Sequence, residues 1–205
     1  MSLPSANTES STEAAAQTIV LPAVSHRGIP VQRGVNVADY LALEQSSRVK
    51  HELKNGDVFM MAGASERHNV ITLNLASILL AEKRASQSPC RVFMSDMKLK
   101  LEDDTIYYPD IMVVCDETDD HSYYKTHPCL LVEVLSESTA AIDRGEKALA
   151  YSQLPSLKAY VLISQTWQHA EIYRPNGQGW LLEYVSDVLT LPCLDIAVNL
   201  ADIYA

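Results

Sequence analysis

Apolar and polar positions beyond the first 33 residues alternate in patterns that predict short helices and strands. Residues 36–45 predict a short helix with Asn36 as its N-cap. Residues 49–63 predict a β-hairpin, because two strand-like runs meet at an Asn-Gly pair, which tolerates the positive φ of a tight turn. In residues 65–84 apolar side chains repeat at helical spacing, and Ser65 at the start is the N-cap candidate. A longer helix is therefore expected there.

The second half of the chain predicts mainly strands. Six further stretches are rich in apolar and β-branched residues: 91–101, 106–115, 129–135, 159–164, 169–175 and 180–185. A helix is expected at 138–154, ending before a proline, and a short closing helix at 199–204. This order indicates an α/β fold with a mixed sheet, as a single domain over residues 34–205. Residues 1–33 are rich in Ser, Thr, Ala and Pro without a sustained period, which predicts a mobile tail.

Composition narrows the class of protein further. Of the 205 residues, 47% are hydrophobic, as expected for a globular protein, and no apolar run is long enough to span a membrane. The first residues lack the basic and apolar regions of a secretory signal. The four cysteines form no CxxC pair, and Cys115 and Cys129 lie in apolar runs where cysteine behaves as a small buried hydrophobe. We therefore expect a reduced, cytoplasmic protein.

The net charge of −10 weighs against a nucleic-acid partner, since phosphate binding usually requires a basic surface. Carboxylates that hold Mg²⁺ contribute to that total, however, and a bound cation reverses the local sign. The charge therefore lowers the expectation of tight nonspecific DNA binding without removing DNA from the candidate partners.

Two carboxylates interrupt apolar strands. Asp110 precedes the run Ile-Met-Val-Val, and Glu133 lies within the run Leu-Leu-Val-Glu-Val-Leu. An unpaired ionised carboxylate in such surroundings is costly or becomes protonated. If the two strands are neighbours, both acids can share a hard cation such as Mg²⁺ or Mn²⁺. The alternative is that each acid faces solvent or pairs with an arginine.

A lysine follows on the next helix. Asp143, Lys147 and Tyr151 are spaced i, i+4 and i+8, so they share one helix face. A cation beside a metal orients the attacking water and stabilises the charge of the transition state. The competing interpretation is a solvated helix lysine that pairs with Asp143.

These motifs resemble a known family. The matching positions are Tyr108-Pro109-Asp110, then Leu131-Val132-Glu133-Val134-Leu135-Ser136 with Ser138-Thr139, then Asp143, Lys147 and Tyr151, and in the hairpin His51-Glu52-Leu53-Lys54-Asn55-Gly56 with His68 after it. Over roughly residues 36–175 the chain is similar to the Uma2 (DUF820) restriction endonucleases of the PD-(D/E)XK nuclease superfamily.

The resemblance implies a restriction-endonuclease-like α/β fold with a central mixed β-sheet flanked by helices, Mg²⁺-dependent cleavage of DNA, and a homodimer. Asp110 and Glu133 match the two metal-binding acids of the family. The usual lysine two residues after the glutamate is Leu135 here, so Lys147 is the candidate catalytic cation.

Accessory candidates remain, each with a structural alternative. Glu52 either adds a carboxylate to the site or is an exposed hairpin residue paired with lysine. His68 either contacts phosphate and carries protons or is structural. Asp96 either binds metal through water or caps a turn, and Tyr151 shares the helix face of the catalytic lysine.

Three functions are therefore compared. The leading hypothesis is a metal-dependent DNA endonuclease that hydrolyses phosphodiester bonds. The second is a catalytically retired nuclease-like domain that serves as a nucleic-acid-binding or regulatory module, which the acidic charge and the missing strand lysine favour. The third is a structural dimer-forming protein, in which basic residues replace the metal.

Overall fold

The structure, a computed structural model, describes residues 17–19 and 28–205, and this part of the chain consists of short strands and few helices. The helices are α1 (Val37–Ser46), α2 (Glu66–Ala85), α3 (Ala140–Ile142), α4 (Ala148–Tyr151) and α5 (Leu200–Tyr204), with a π-helical turn (Asp143–Lys147) joining α3 to α4. The strands are β1 (Gln17–Ile19), β2 (His51–Lys54), β3 (Asp57–Met60), β4 (Arg91–Met94), β5 (Lys98–Glu102), β6 (Thr105–Tyr107), β7 (Ile111–Val114), β8 (Tyr124–Lys125), β9 (Leu130–Val134), β10 (Ala159–Ile163), β11 (Ala170–Pro175), β12 (Trp180–Val185), β13 (Val188–Leu191) and β14 (Ile196–Asn199). None of the described helices combines the length and apolarity needed to cross a membrane.

The strands of the described residues form one large sheet and two small ones. The large sheet has the order β1-β12-β11-β10-β9-β7-β4, and it is mixed because β9 and β10 run parallel while the other neighbours are antiparallel. A second sheet has the order β3-β2-β6-β5-β8, and β13 pairs with β14 alone. The predicted central mixed sheet is confirmed.

Apolar side chains cover both faces of the large sheet, because its central strands are buried on both sides. One face packs against Leu75 and Leu79 of α2, against the β13–β14 hairpin and against α5. The other face packs against the connection from β9 to β10 and against residues of the second sheet, including Leu99 and Tyr107. Helices therefore flank the sheet on both sides, as the sequence predicts.

The local signals for the first elements are confirmed. The β2–β3 turn places Asn55 at φ 50° and Gly56 at φ 75°, the left-handed conformation that this pair tolerates. The side chain of Asn36 accepts a hydrogen bond from the N–H of Asp39 at the start of α1. Ser65 caps α2 in the same way by accepting from the N–H of His68.

Two predicted strands are wrong as continuous elements. The stretch 106–115 divides into β6 and β7 at Tyr108-Pro109-Asp110, because proline has no N–H to continue a ladder. The stretch 91–101 divides into β4 and β5 at a turn. Each break moves the chain from one sheet to the other, so Asp110 lies at the junction between the two sheets. Four short strands, β1, β8, β13 and β14, were not predicted.

The predicted continuous α-helix over 138–154 is also wrong. The chain forms α3, the π-helical turn and α4, and the N–H of Ala148 bonds to the carbonyl of Asp143, five residues earlier. Such turns insert one extra residue into a helix and often occur at functional sites.

The expectation of unpaired cysteines is wrong. Cys90 is paired with Cys115 and Cys129 with Cys193 as disulfides, and no free cysteine remains. No local pattern indicated these pairs, because the partners are 25 and 64 residues apart in the chain.

Most of the predicted mobile tail, residues 1–33, lies outside the described residues. Of the described part, Gln17–Ile19 forms β1 at the edge of the large sheet, paired with β12. The N–H of Val31 donates to the carbonyl of Val58, and Gln32 forms a bridge with the same residue. Residues 17–19 therefore extend the large sheet, and residues 31–32 extend the second sheet.

Candidate active site

Asp110 and Glu133 lie side by side across two paired strands. β7 pairs with β9 so that Ile111 is opposite Val132, which brings the preceding and following residues together. One carboxylate oxygen of Asp110, Oδ2, accepts from the N–H of Val134 at 2.8 Å. The N–H of Asp110 makes a long hydrogen bond of 3.4 Å to Glu133 Oε2. Each carboxylate is therefore held by the main chain of the other's strand.

Lys147 points into this pair of strands. Its Nζ lies 2.9 Å from Glu133 Oε1, 3.3 Å from Glu52 Oε1 and 3.4 Å from Asp143 Oδ1. The residue is only 6% exposed, so it is not the solvated helix lysine of the competing interpretation. The pairing with Asp143 that this interpretation proposed does occur, as one of three contacts.

The topology explains why this lysine reaches Glu133. β9 and β10 are parallel, so the chain must cross over one face of the sheet between them. Glu133 lies on the face that its neighbours Leu131 and Leu135 share, and Ala148 and Tyr151 of the crossover pack on that face. The π-helical turn buries Asp143, Glu146 and Lys147 together against it.

Buried tyrosines surround the acids. The hydroxyl of Tyr151 donates to Glu133 Oε1 at 3.1 Å, and that of Tyr107 donates to Glu146 Oε1 at 2.9 Å. The hydroxyl of Tyr160 donates to the carbonyl of Asp143 at 3.1 Å. The ring of Tyr151 packs edge-on against the rings of Tyr107 and Tyr160, with centroids 5.7 and 5.0 Å apart. The packed rings exclude water from the inner side of the site.

His68 forms the outer side of the site. It lies in the first turn of α2, and its Nε2 is 3.0 Å from Asp110 Oδ2. Burial alone would lower the pKa of His68, but the hydrogen bond and charge of Asp110 outweigh it and raise that pKa above its ordinary value. The side chains of both residues keep some exposure, 14% and 15%, whereas those of Glu133 and Lys147 have 4% and 7%. Solvent therefore reaches the site from the side of this pair.

The site carries more negative than positive charge. Three carboxylates, those of Glu52, Glu133 and Asp143, lie within 3.4 Å of the ammonium of Lys147. Asp110, beside Glu133, adds a fourth carboxylate to the site. Burial raises the pKa of Glu133 well above its ordinary value, the charges of Asp110 and Asp143 raise it further, and Lys147 opposes them. Burial likewise raises the pKa of Asp143, whose Oδ1 makes no hydrogen bond within the described residues despite its ion-pair distance from the lysine. Among the described residues, the acids of the site outnumber its basic groups, Lys147 and His68.

Lys147 is a permanent positive charge. Burial alone would lower its pKa, but the charges of Glu133, Glu52 and Asp143 outweigh that effect and raise the pKa well above its usual range. An amine that holds its proton this firmly acts through its charge and its hydrogen bonds, and it is not a general base near neutral pH.

A second set of hydrogen bonds holds the segment between β6 and Asp110. Glu44 Oε1 lies 2.8 Å from His51 Nδ1, and its Oε2 accepts from the hydroxyl of Tyr108 at 2.5 Å. The N–H of Tyr108 donates to Glu52 Oε1 at 3.3 Å. These contacts fix the residue two positions before Asp110, at the point where the chain passes between sheets.

The structure brings together most, but not all, of the candidate residues. Asp110, Glu133 and Lys147 form the centre of the cluster, with Glu52, His68 and Tyr151 in direct contact with one or another of them. Asp96 lies apart from this cluster, in the turn after β4. Its exposed side chain pairs with Lys50.

Several residues of the site were missed as candidates. Asp143 was noted on the helix face of Lys147 and among the matching motif positions but not proposed as a site residue, although its position four residues before the lysine was a usable signal. Tyr107, Tyr160 and the Glu44–His51 pair gave none, because tyrosine and glutamate are common in strands and helices.

The chain matches known proteins over most of its length. Residues 37–201 match the model of the Uma2 family, described as "Putative restriction endonuclease". The chain belongs to the Uma2 family. It is 37% identical over 171 residues to the uncharacterized protein slr1290 of Synechocystis sp., covering 81% of this chain and 89% of that protein. It is also 37% identical over 153 residues to the uncharacterized Synechocystis protein sll1609, covering 72% and 85%.

A crystal structure confirms the fold of this Uma2 protein. The structure, described as that of "a putative nuclease belonging to DUF820" from Anabaena variabilis, superposes with a TM-score of 0.68 and covers 83% of this chain and 97% of its own. The two sequences are 16% identical, so the match concerns the fold alone. The family predicted from the motifs is confirmed. Family and fold together suggest a restriction-endonuclease-like nuclease, a class that generally uses divalent metals.

Proposed function

We propose that this Uma2 protein is a divalent-metal-dependent DNA endonuclease, in which Asp110 and Glu133 hold Mg²⁺ or Mn²⁺ and Lys147 is the catalytic cation. The observation that carries the proposal is the 2.9 Å contact of Lys147 with Glu133, which is itself held beside Asp110. It supports the idea that the crossover supplies the cation that the strand lacks at Leu135.

The donor set suits a hard divalent cation. Two adjacent carboxylates, with water and substrate phosphate completing the coordination, are the usual protein contribution to a Mg²⁺ site. Lys147 and Tyr151 both bond to Glu133 Oε1, which directs Oε2 toward Asp110. A divalent ion bound by these acids supplies Lewis-acid polarisation of the phosphate and a lowered pKa of bound water.

The side chains divide the work of hydrolysis. In the reaction, the oxygen of water bonds to phosphorus, one P–O ester bond breaks, and the departing oxygen takes a proton. Lys147 stabilises the negative charge that develops on the phosphoryl oxygens, because its charge is fixed and buried. His68, on the open side of the site and hydrogen-bonded to Asp110, is positioned to carry a proton between the reacting groups and solvent.

DNA is the proposed substrate, and a homodimer is the proposed assembly. The net charge of −10 disfavours broad contact with phosphates, so binding depends on the cation at the site more than on a basic surface. A two-fold dimer presents two identical sites, which suits the two antiparallel strands of a duplex. Light scattering of the purified protein with and without duplex DNA tests the assembly.

The function is tested by incubating the purified protein with supercoiled plasmid and with single-stranded DNA. We expect nicked or linear products with Mg²⁺ or Mn²⁺ and none with EDTA. Metal-dependent binding of DNA without any cleavage would instead favour the catalytically retired, regulatory domain. The burial of Glu133, which is 3% exposed, supports that alternative. Absence of metal binding would contradict both.

Metal affinity should fall as the pH is lowered. The pKa of Glu133 is raised by burial and by neighbouring acids, so a proton competes with the ion for this carboxylate more strongly than it would for an exposed glutamate. Calorimetric titration with Mn²⁺ across about pH 5 to 8 should show weaker binding and greater proton release at the acidic end. Asp103→Asn, at an exposed turn, should show the same profile as wild type. A constant affinity across this range would contradict the proposed protonation of Glu133.

A further inference from the structure

All four cysteines of the chain converge at one place in the fold. Cys90 lies directly before β4, Cys115 directly after β7, Cys129 directly before β9, and Cys193 in the turn between β13 and β14. The sulphur atoms of Cys115, Cys129 and Cys193 lie within 4.8 Å of one another, and that of Cys90 is bonded to Cys115.

The sheet and the hairpin turn create this convergence. β4 and β7 pair so that Cys90 is opposite Cys115, with their Cα atoms 4.0 Å apart. Cys129 lies beside the same strand, because its N–H donates to the carbonyl of Val113 at 2.8 Å. Cys193 has a φ of 76°, the left-handed conformation that non-glycine residues rarely adopt, in a turn that contacts Cys90 through its carbonyl.

The cysteine cluster is distinct from the acidic site. Asp110 precedes β7 and Cys115 follows it, while Cys129 precedes β9 and Glu133 lies toward its end. The two sites thus occupy opposite ends of the same strands, separated by roughly 15 Å at the rise of an extended chain. Cys90 and Cys129 are buried, and the two other cysteines are half-buried.

We propose that the reduced cluster is a structural zinc site. Four thiolates are the commonest closed donor set for Zn²⁺, and in a tetrahedron with Zn–S bonds of about 2.3 Å the sulphur atoms lie about 3.8 Å apart. The sulphur atoms of Cys115, Cys129 and Cys193 lie within 4.8 Å of one another, close to that spacing, and Cys90 is the neighbour of Cys115 that completes the set. A set of four protein ligands leaves no position for water, so the ion stabilises the fold and takes no part in catalysis.

The chemistry links the oxidised and the reduced forms. A phosphine reductant converts each disulfide to two thiols and is itself oxidised to the phosphine oxide, taking its oxygen from water. Zn²⁺ then binds four thiols with release of four protons, giving a tetrathiolate centre of net charge −2. In both forms the cluster joins the β13–β14 hairpin, and with it α5, to the large sheet.

The experiment uses the full chain, reduced and freed of metal, with Co²⁺ as the spectroscopic probe and Zn²⁺ as the competitor. Excess Mg²⁺ is present to occupy the carboxylates. We expect one Co²⁺ per chain with the strong visible absorption and sulphur-to-metal charge transfer of tetrahedral thiolate coordination, displaced by one equivalent of Zn²⁺. Zn²⁺ should also protect all four cysteines from alkylation, as counted by mass spectrometry.

Variants locate the site. Cys193→Ser and Cys90→Ser should each abolish the tetrathiolate spectrum, and far-UV circular dichroism checks that each variant is folded. The double variant Asp110→Asn, Glu133→Gln should keep the spectrum unchanged. The proposal is overturned if the reduced protein with four titratable thiols binds no Co²⁺, if the spectrum is that of six-coordinate cobalt, or if folded Cys193→Ser retains it.

Discussion

A Lys147→Ala variant should lose DNA cleavage by about 10²–10³-fold while it binds Mn²⁺ as tightly as wild type or slightly more tightly. The loss follows because the ammonium stabilises charge that develops only in the transition state. Metal affinity is retained because the amine is not a ligand, and its removal takes a repelling charge from the site. Single-turnover cleavage and Mn²⁺ calorimetry measure the two quantities separately.

The same variant should be less stable, because Lys147 neutralises buried carboxylates of Glu52, Glu133 and Asp143. Removing one partner of a buried ion pair typically costs about 3–5 kcal/mol, so the activity must be compared at temperatures where the variant is folded. Bound Mn²⁺ should restore part of the lost stability, since it replaces the missing positive charge.

Two companion variants sharpen the test. Lys147→Arg should also cleave poorly, because a planar guanidinium is larger than the compact ammonium group that contacts three carboxylates here. Lys158→Ala, on the exposed surface before β10, should behave as wild type. If folded Lys147→Ala cleaved DNA at the wild-type rate, the lysine would be a purely structural ion-pair partner.

Asp110→Asn and Glu133→Gln should each weaken Mn²⁺ binding and abolish cleavage, since each removes a charged oxygen and preserves the shape of the side chain. We expect a loss of at least about tenfold in affinity, comparable to or larger than the effect of removing an outer-shell partner of a metal ligand. Calorimetry and the plasmid assay check the two effects. Asp96→Asn is the matched control, because its exposed carboxylate pairs with Lys50 away from the site.

Glu133→Gln should also stabilise the metal-free protein at neutral pH, because Lys147 keeps its ion pairs with Glu52 and Asp143 when the Glu133 carboxylate is removed. An acid whose pKa is raised by folding contributes stability that is fully present below its unfolded pKa and is lost as the pH rises through the folded pKa. Above the folded pKa, wild type therefore bears the cost of ionised Glu133, and glutamine removes this cost. Thermal unfolding at several pH values should show the stabilities of the two proteins converging toward acid pH.

Unchanged Mn²⁺ affinity in both Asp110→Asn and Glu133→Gln would exclude the proposed metal site.

The parts of the site that the sequence predicted share a local physical signal. Asp110 and Glu133 stood out because ionised groups are rare inside apolar strands, and Lys147 because helical spacing aligned it with Asp143 and Tyr151. The hairpin turn and both helix caps were predictable because particular side chains satisfy particular backbone conformations.

The parts that were not predicted depend on contacts distant in sequence. Glu52 and His68 were candidates only through the family resemblance, because no periodicity indicates that Glu52 contacts Lys147 from the hairpin or that His68 contacts Asp110 from α2. The π-helical turn is equally hidden, because a helix with one extra residue has nearly the same apolar spacing as a regular one. The cysteines seemed scattered since their meeting depends on strand order and on the position of the β13–β14 turn.

The parallel pairing of β9 and β10 also has a consequence for how the chain folds. Glu133 and Lys147 are only 14 residues apart, within one strand–crossover unit, whereas the remaining partners of the lysine include Glu52 on a distant hairpin. Short loops close faster and with a smaller entropy loss than long ones. We therefore expect loop closure to favour the contact of this ammonium with the glutamate as the crossover docks, ahead of the contact with Glu52.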